Sequence, residues 1–515
     1  MLRAGGRADQ MLPRPYQLAC NRAIEMALTD SPSTLVVMAT GLGKTVIFAH
    51  AIRDWPGRCL IVAHRDELIR QAADKVHAIT GEMPAVEMGG ESSDEEAFTR
   101  SRIVVASVQT MCRPKRQQRF RPDDFGLLVI DEAHHAVARS YRDVIAYFRQ
   151  APGLRVLGVT ATPKRADQLA MGQVFDSVCY DYGLEAAIDD GWLVPVRQQF
   201  VRVSALDFSR VRTLAGDFHE GELEKIVSEE KVLHACAAPA AELTRDRPAL
   251  VFCVSVAHSR LMASVLSRYR PSARAESLDG STAMDKRRHV VQEFKDGKVQ
   301  FLCNCGLFLE GFDAPTTAAV VMARPTKSLA LYCQILGRGT RPLPGIVDGA
   351  GCDSPIFRRA AIAASAKPDL LVLDFAGNSG QHKIVTAVDL LGGKYGEPVR
   401  AYARQTLEEE GDSAAVGESL DRATDELVLL EEVKEDRRRA RVKAAADYEA
   451  REVSPFAGAV GYSRRTGMAF APAETATPKQ VNYLVYRANW GRDQAMRLSK
   501  RQASAIIGKH REANP

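Results

Sequence analysis

Two glycines precede a lysine and a hydroxyl in Ala39-Thr40-Gly41-Leu42-Gly43-Lys44-Thr45. An apolar run comes before them and an apolar stretch, 46–52, comes after. Strand, glycine turn and helix start are what a phosphate-binding loop requires, because backbone N–H groups can wrap phosphate oxygens there. The spacing lets Lys44 reach terminal phosphates and Thr45 ligate Mg2+. The general pattern asks for glycine at position 38, where this chain has Met38. A second group follows at Leu127-Leu128-Val129-Ile130-Asp131-Glu132-Ala133-His134. An apolar strand ending in two carboxylates suits metal holding by Asp131 and water activation by Glu132. Alone, such an acidic pair reads as the start of a helix; with Lys44-Thr45 it reads as the other half of a nucleotide site.

These groups need a scaffold that brings them together. From Leu35 to about Gly191 short apolar runs alternate with amphipathic stretches. The runs 35–39, 59–63, 103–107, 127–130 and 155–160 read as buried strands, and 66–77 as a helix. The pattern weakens over 195–222. It then restarts with strands expected at 249–254, 274–278, 299–304, 318–322 and 370–374. The expectation is an α/β protein with two tandem parallel-sheet domains, 1–195 and 226–392. Residues 196–225 would form a linker, and 342–367, rich in Gly, Pro and Ala, a surface insertion.

The chain has 515 residues, 46% hydrophobic and 26% charged, with a formal charge of +5. That suits two or three soluble domains and excludes a disordered or fibrous protein. The charge alone does not identify a nucleic-acid binder, since a groove can hold its positive charge locally. Ten cysteines sit singly, mostly in apolar runs, as Cys59, Cys253 and Cys333 do. They read as buried thiols, and Cys303 and Cys305 have no second pair at zinc spacing, so no zinc is expected. No secretory signal and no apolar run of membrane length is found, so the expected compartment is the cytoplasm and no membrane partner is expected.

In order along the chain, these motifs resemble those of the superfamily 2 helicases, with Asp131-Glu132-Ala133-His134 as the Walker B box. The resemblance covers roughly residues 10–385 and implies tandem RecA-like domains and an ATP-driven nucleic-acid motor. Leu12-Pro13-Arg14-Pro15-Tyr16-Gln17 resembles the Q-motif, where Gln17 would read the adenine edge with help from Arg14. Thr40, Gly41, Gly43, Lys44 and Thr45 would cradle ATP, with Thr45 and Asp131 on Mg2+. Lys44, Asp131, Glu132 and His134 would serve hydrolysis. Ala63-His64-Arg65-Asp66-Glu67-Leu68 resembles motif Ia and Ser107-Val108-Gln109-Thr110 motif Ib, which implies nucleic-acid contacts at Arg65 and Thr110. Thr160-Ala161-Thr162-Pro163 resembles motif III, which implies a coupling role for Thr160 and Thr162.

The second half matches too. The run 249–255 resembles motif IV, with Ser255 facing nucleic acid, and 310–315 motif V, with Gly311 and Asp313 near the nucleotide. Upstream of motif V the family often has Thr; Asn304 here can still bond a phosphate or sugar. Gln334-Ile335-Leu336-Gly337-Arg338-Gly339-Thr340-Arg341 resembles motif VI, with Gln334 coupling and Arg338 and Arg341 as arginine fingers. A guanidinium suits that role because it stays charged and matches phosphate oxygens. The spelling of the phosphate loop, of motif VI and of 371–378 is most similar to DNA-directed members: the RadD-type, XPB-like and type I restriction motors. The implied partner is DNA, single-stranded or duplex and read without sequence preference, beside repair, recombination or phage replication proteins. An RNA helicase and a duplex remodeller without strand separation remain as alternatives.

Beyond residue 393 the expectation is a mainly helical extension: a charged segment 393–475 and a small basic module 476–515. The module carries eight Lys or Arg against two acids, with Tyr483, Tyr486 and Trp490 interleaved. It reads equally as a DNA-contacting module or as a small core with a solvated face. The run Arg437–Lys443 reads as a solvated helix.

Overall fold

A strand buried on both faces reads as a near-continuous apolar run, as β1 (Ser33–Met38) does from Leu35 on and β2 (Cys59–Ala63) along its length. In the computed structural model the described residues are 13–89, 91–92, 100–161, 171–214, 216–309, 311–349, 351–378, 396–410, 414–416, 419–428, 477–486, 503–504 and 507. The chain divides into two units, Met1–Thr386 and Ala387–Pro515.

The first unit holds two α/β sheets of the RecA-like kind. The first also contains β3 (Ala85–Met88), β4 (Glu91–Ser92), β5 (Ile103–Ser107), β6 (Leu127–Asp131), β7 (Arg155–Thr160) and β8 (Ser177–Tyr182). Its order is β4-β3-β5-β2-β6-β7-β1-β8, with only the β3–β4 pair antiparallel. Helices α1 (Pro15–Asp30), α2 (Lys44–Asp54) and α3 (Asp66–Thr80) belong to this domain. One face of the sheet packs Leu35, Val37, Leu60, Leu128 and Val156 against Tyr141, Ile145 and Phe148 of the helix Arg139–Phe148. Each fully buried branched or aromatic side chain of this kind contributes about 1.5–3 kcal/mol.

The second sheet contains β9 (Val196–Asp207), β12 (Ala249–Phe252), β13 (Ala275–Leu278), β14 (Phe301–Asn304), β15 (Ala319–Met322) and β16 (Leu370–Asn378). They lie in the order β13-β14-β12-β15-β16-β9, all parallel. β10 (Thr213–Leu214) and β11 (Asp217–Phe218) form a separate hairpin.

Residues 196–225, expected as a linker, therefore begin with a strand of the second sheet. β9 alternates buried and partly exposed positions at its start, and Arg197, Gln198, Gln199 and Arg202 break the apolar run that marks a strand buried on both faces. β8 escapes for a similar reason, as an edge strand in which Ser177, Asp181 and two tyrosines dilute the apolar signal. The segment 342–367, expected as a surface insertion, is folded and mostly exposed or half-buried among its described residues. It carries the helix Pro355–Ala363, capped by Ser354, and buries Arg358 and Lys367. Arg358 donates to the Asp190 carbonyl at 2.8 Å and lies 3.9 Å from the Trp192 ring, so the segment is stitched to the first domain.

In the second unit the helix Glu397–Glu410 is followed by helical residues 419–428 and the helix Pro478–Tyr486. Thr477 and Gln480 form a reciprocal cap at the start of the last helix. Val481, Leu484 and Ala503 are buried. The Arg437–Lys443 run and all the tail's basic residues except Lys479 lie outside the described residues. No described helix is long and apolar enough to cross a membrane.

Candidate active site

The phosphate loop runs from the carboxyl end of β1 into α2. Gly43 stands at φ 82 immediately before Lys44, and a Cβ there would come within 2.8 Å of the Gln17 amide nitrogen. Only glycine meets both conditions without strain. No side chain caps the start of α2, and the Gly43 carbonyl accepts from the Val46 and Ile47 N–H groups.

Asp131 and Glu132 follow at the end of β6, and both are buried. Glu132 adopts a left-handed backbone, φ 50 and ψ 54, which costs a non-glycine residue about 1 kcal/mol. That turn aims its carboxylate at the loop, with Lys44 Nζ 3.6 Å from Oε1. The Glu132 N–H donates to Asp131 Oδ1 at 2.9 Å. His134 Nδ1 lies 3.4 Å from Glu132 Oε2 and 3.2 Å from Thr160 Oγ1 at the end of β7. Four sequence-predicted residues thus converge: Lys44, Glu132, His134 and Thr160. Thr45 is half-buried in the first turn of α2. Thr162 lies outside the described residues.

The second sheet contributes from the other side of the cleft. Gly337, at the end of the helix Leu329–Gly337, packs on Thr40; a Cβ there would stand 2.3 Å from Thr40 Cβ. The two arginines then divide. Arg341 Cγ lies 3.1 Å from where a Cβ on Gly41 would stand, so its side chain crosses to the phosphate loop, and its guanidinium pairs with Asp313. Arg338 is buried and donates to the Leu309 carbonyl and to the Phe312 carbonyl at 3.1 Å. In this conformation its guanidinium is committed to motif V. Gln334 is half-buried in the same helix. Gly311, at φ 70, accepts from Gln71 of α3.

Gln17 serves the loop itself. Its Nε2 donates to the Leu42 carbonyl at 3.0 Å, and its Oε1 accepts the Arg14 N–H at 2.9 Å. Tyr16 donates to the same carbonyl at 3.0 Å. Arg14 forms a two-point pair with Asp348 at 2.9 Å and lies 5.1 Å from the Trp192 ring. Sequence reasoning missed Trp192 and Asp348. Neither belongs to a recognised spacing, and Asp348 lies more than 300 residues from its partner.

The expected nucleic-acid residues fare unevenly. Arg65 is half-buried and donates to the Gly306 carbonyl at 3.3 Å. Thr110 is buried and accepts from the Gly89 N–H. Ser255 caps the helix Val256–Tyr269 and donates to Glu224. Asn304 is fully buried, bonded to the Val251 carbonyl at 3.2 Å and the Phe308 N–H at 3.4 Å. In this conformation the Thr110, Ser255 and Asn304 side chains are bonded to neighbouring parts of the protein. A buried polar group takes whatever backbone partner is nearest, and a linear motif cannot say which.

Residues 10–165 match the family described as "Type III restriction enzyme, res subunit", and residues 230–342 match "Helicase conserved C-terminal domain". The "Putative ATP-dependent helicase IRC3" of Saccharomyces cerevisiae is 32% identical over 323 residues, covering 59% of this chain and 46% of that protein. The type I restriction enzyme EcoAI endonuclease subunit of Escherichia coli is 27% identical over 367 residues, covering 64% and 44%. The DNA 3'-5' helicase XPB of Mycobacterium tuberculosis is 26% identical over 325 residues, covering 62% and 56%. The chain thus spans about half the length of the curated relatives it matches. With a phosphate loop, an acidic strand end and an arginine from the second sheet meeting at one cleft, the chain belongs to the superfamily 2 helicases, with type I restriction motors and XPB-like proteins among its relatives.

Proposed function

We propose that the protein is a nucleic-acid-stimulated ATPase that moves along DNA. The observation that carries this reading is the approach of Arg341 from the second sheet to the loop that holds Lys44, opposite Glu132. ATP bound there would be held from both domains, and loss of its γ-phosphate would release one from the other.

The residues fit ATP and Mg2+. Asp131 is a buried carboxylate at a strand end beside the loop, and Thr45 offers a hydroxyl in the first turn of α2. These two would hold Mg2+, which supplies charge neutralisation on the phosphates. Lys44 draws the terminal phosphates toward the loop. Glu132, held by its left-handed turn, orients water and takes its proton. Arg341 neutralises charge on the phosphate from the far side. Gln17, Tyr16 and Gly43 keep the loop in shape, and Arg338 holds motif V to motif VI. The adenine would lie near Arg14 and Gln17.

DNA is preferred over RNA on the spelling of the motifs and because two matched relatives are named as a restriction subunit and a DNA helicase. The track would follow the turns at Arg65, Thr110, Ser255 and Asn304, through backbone groups and Arg65 rather than the buried side chains. Contacts of that kind go to phosphates and sugars, so sequence preference should be low and salt sensitivity high. Repair, recombination or phage replication proteins are the further partners proposed.

The test is ATP hydrolysis measured without nucleic acid and with single-stranded DNA, duplex DNA and RNA. Wild type should be stimulated most by DNA. Lys44→Ala and Glu132→Gln should each lose on the order of a hundredfold or more. Hydrolysis that ignores every nucleic acid, or that survives both changes, overturns the motor. Strand displacement on tailed duplexes, run in parallel, separates unwinding from movement alone.

A further inference from the structure

The carboxyl ends of β6, β2 and β5 are neighbours, because β2 lies between the other two in the sheet. Each end opens into a turn with chemistry on it. β6 leads to the turn Ala133–His135, β2 to His64-Arg65, and β5 to the short helix Val108–Met111. Sheet order therefore sets Walker B, motif Ia and motif Ib in a row, although they are far apart in sequence.

The side chains in that row touch. His134 meets Glu132 and Thr160, which is the link already described. His135 does something different. Its ring centroid lies 4.1 Å from that of His134, and 4.5 Å from that of His64 in an edge-on contact. Tyr141 stacks more loosely with it, at 6.5 Å. The His64 carbonyl in turn accepts the Gln109 amide at 2.9 Å, and Ser107 donates to the other end of that amide at 2.6 Å. A continuous chain results: Glu132, His134, His135, His64, Gln109. Its far members are next to Arg65 and Thr110.

We propose that His135 is a positioning residue that couples occupancy of the motif Ia and Ib turns to the placement of the Glu132 carboxylate. The inference rests on the motor reading above and goes beyond it by naming a second route. One branch from His134 runs through Thr160 to motif III, and this one runs through His135 to motif Ia. Rings in contact cannot approach further and lose attraction steeply when separated. A shift of the His64 turn when a backbone phosphate engages Arg65 must therefore be followed by His135 and passed to His134. Contact alone is not coupling; a change at one end has to alter function at the other.

The experiment uses the full chain and reads the ratio of DNA-stimulated to basal ATP hydrolysis. His135→Ala should lower that ratio on the order of tenfold, by uncoupling the DNA-stimulated rate from a basal rate that stays close to wild type. His135→Phe keeps an aromatic ring and should recover most of the ratio. His64→Ala should mimic His135→Ala, and the double variant should be no worse than either. A full ratio in His135→Ala, an equal fall of basal and stimulated rates, or failure of His135→Phe to recover overturns the inference while leaving the motor intact. Lack of stimulation of the wild type by any nucleic acid overturns the motor reading itself, and this inference with it.

Discussion

Lys367 Nζ donates to the backbone carbonyl of Arg341 at 2.6 Å and to that of Pro315 at 2.7 Å. One buried ammonium thus ties the residue that crosses to the phosphate loop to the end of motif V. Burial, and then the nearby Arg341 charge, lower its pKa to about 7.

Lys367→Met should therefore misplace Arg341 and lower kcat on the order of tenfold. It should also change the pH profile of stability. The folded pKa lies below the unfolded value, so the unfolded chain binds more protons between about pH 7 and pH 10.5. Wild type should gain stability relative to Lys367→Met as pH rises through that window. Denaturant midpoints at pH 7 and pH 9 for both proteins check this; parallel curves would refute it.

Asp374 on β16 gives the opposite sign. Burial raises its carboxyl to about 6, despite hydrogen bonds from Tyr332 at 2.7 Å and from Gln198 that favour the charged form. The folded chain then binds more protons than the unfolded chain between about pH 4 and 6, so this group's contribution falls as pH rises there. Asp374→Asn can still accept from Tyr332 and should flatten stability across that range. A slope equal to wild type would show that Asp374 is not responsible.

Gly337→Ala tests the cleft. The added methyl would stand 2.3 Å from Thr40 Cβ, on the other domain, so the two domains must part to admit it. Hydrolysis should fall at least about tenfold, since a displacement near 1 Å at a site can cost a hundredfold. Each sheet should fold as before, because the contact lies between them. Wild-type activity in this variant would mean that the cleft closes differently during turnover.

Glu67 of α3 and Arg287 of the second domain form a second bridge across the cleft, at 2.8 Å. Glu67 is 45% exposed, so solvent screening limits the pair to about 1 kcal/mol or less. Glu67→Gln and Arg287→Gln should each weaken the stimulation of hydrolysis by DNA severalfold, with effects that do not add. The exchange Glu67→Arg with Arg287→Glu should recover part of the loss. Additive losses without recovery would remove the bridge from the cycle.

Local patterning was enough to read the two-sheet α/β architecture. A strand covered on both faces reads as a near-continuous apolar run, and β1, β2, β5, β6, β12 and β14 were legible for that reason, their polar residues standing only at strand ends. β8 and β9, with polar residues in their interiors, were not. β8 and β9 lie at or near sheet margins, where period and hydrophobicity are both diluted.

For the site, the sequence by itself determined the groups that short-range geometry must supply: Lys44 after a glycine turn, Asp131 and Glu132 at a strand end, and a pair of arginines after a helix. Their chemistry is set by residue type and by neighbours a few positions away. Tertiary structure alone decided which arginine faces the loop, that Asn304 and Thr110 turn inward, and that Lys367 and Asp348 reach partners far along the chain. A buried polar side chain is satisfied by the groups that folding brings near it, and those come from other strands, another helix or the other domain. The row from Glu132 through His135 to His64 has the same origin, since adjacency of β6, β2 and β5 is a property of the sheet order.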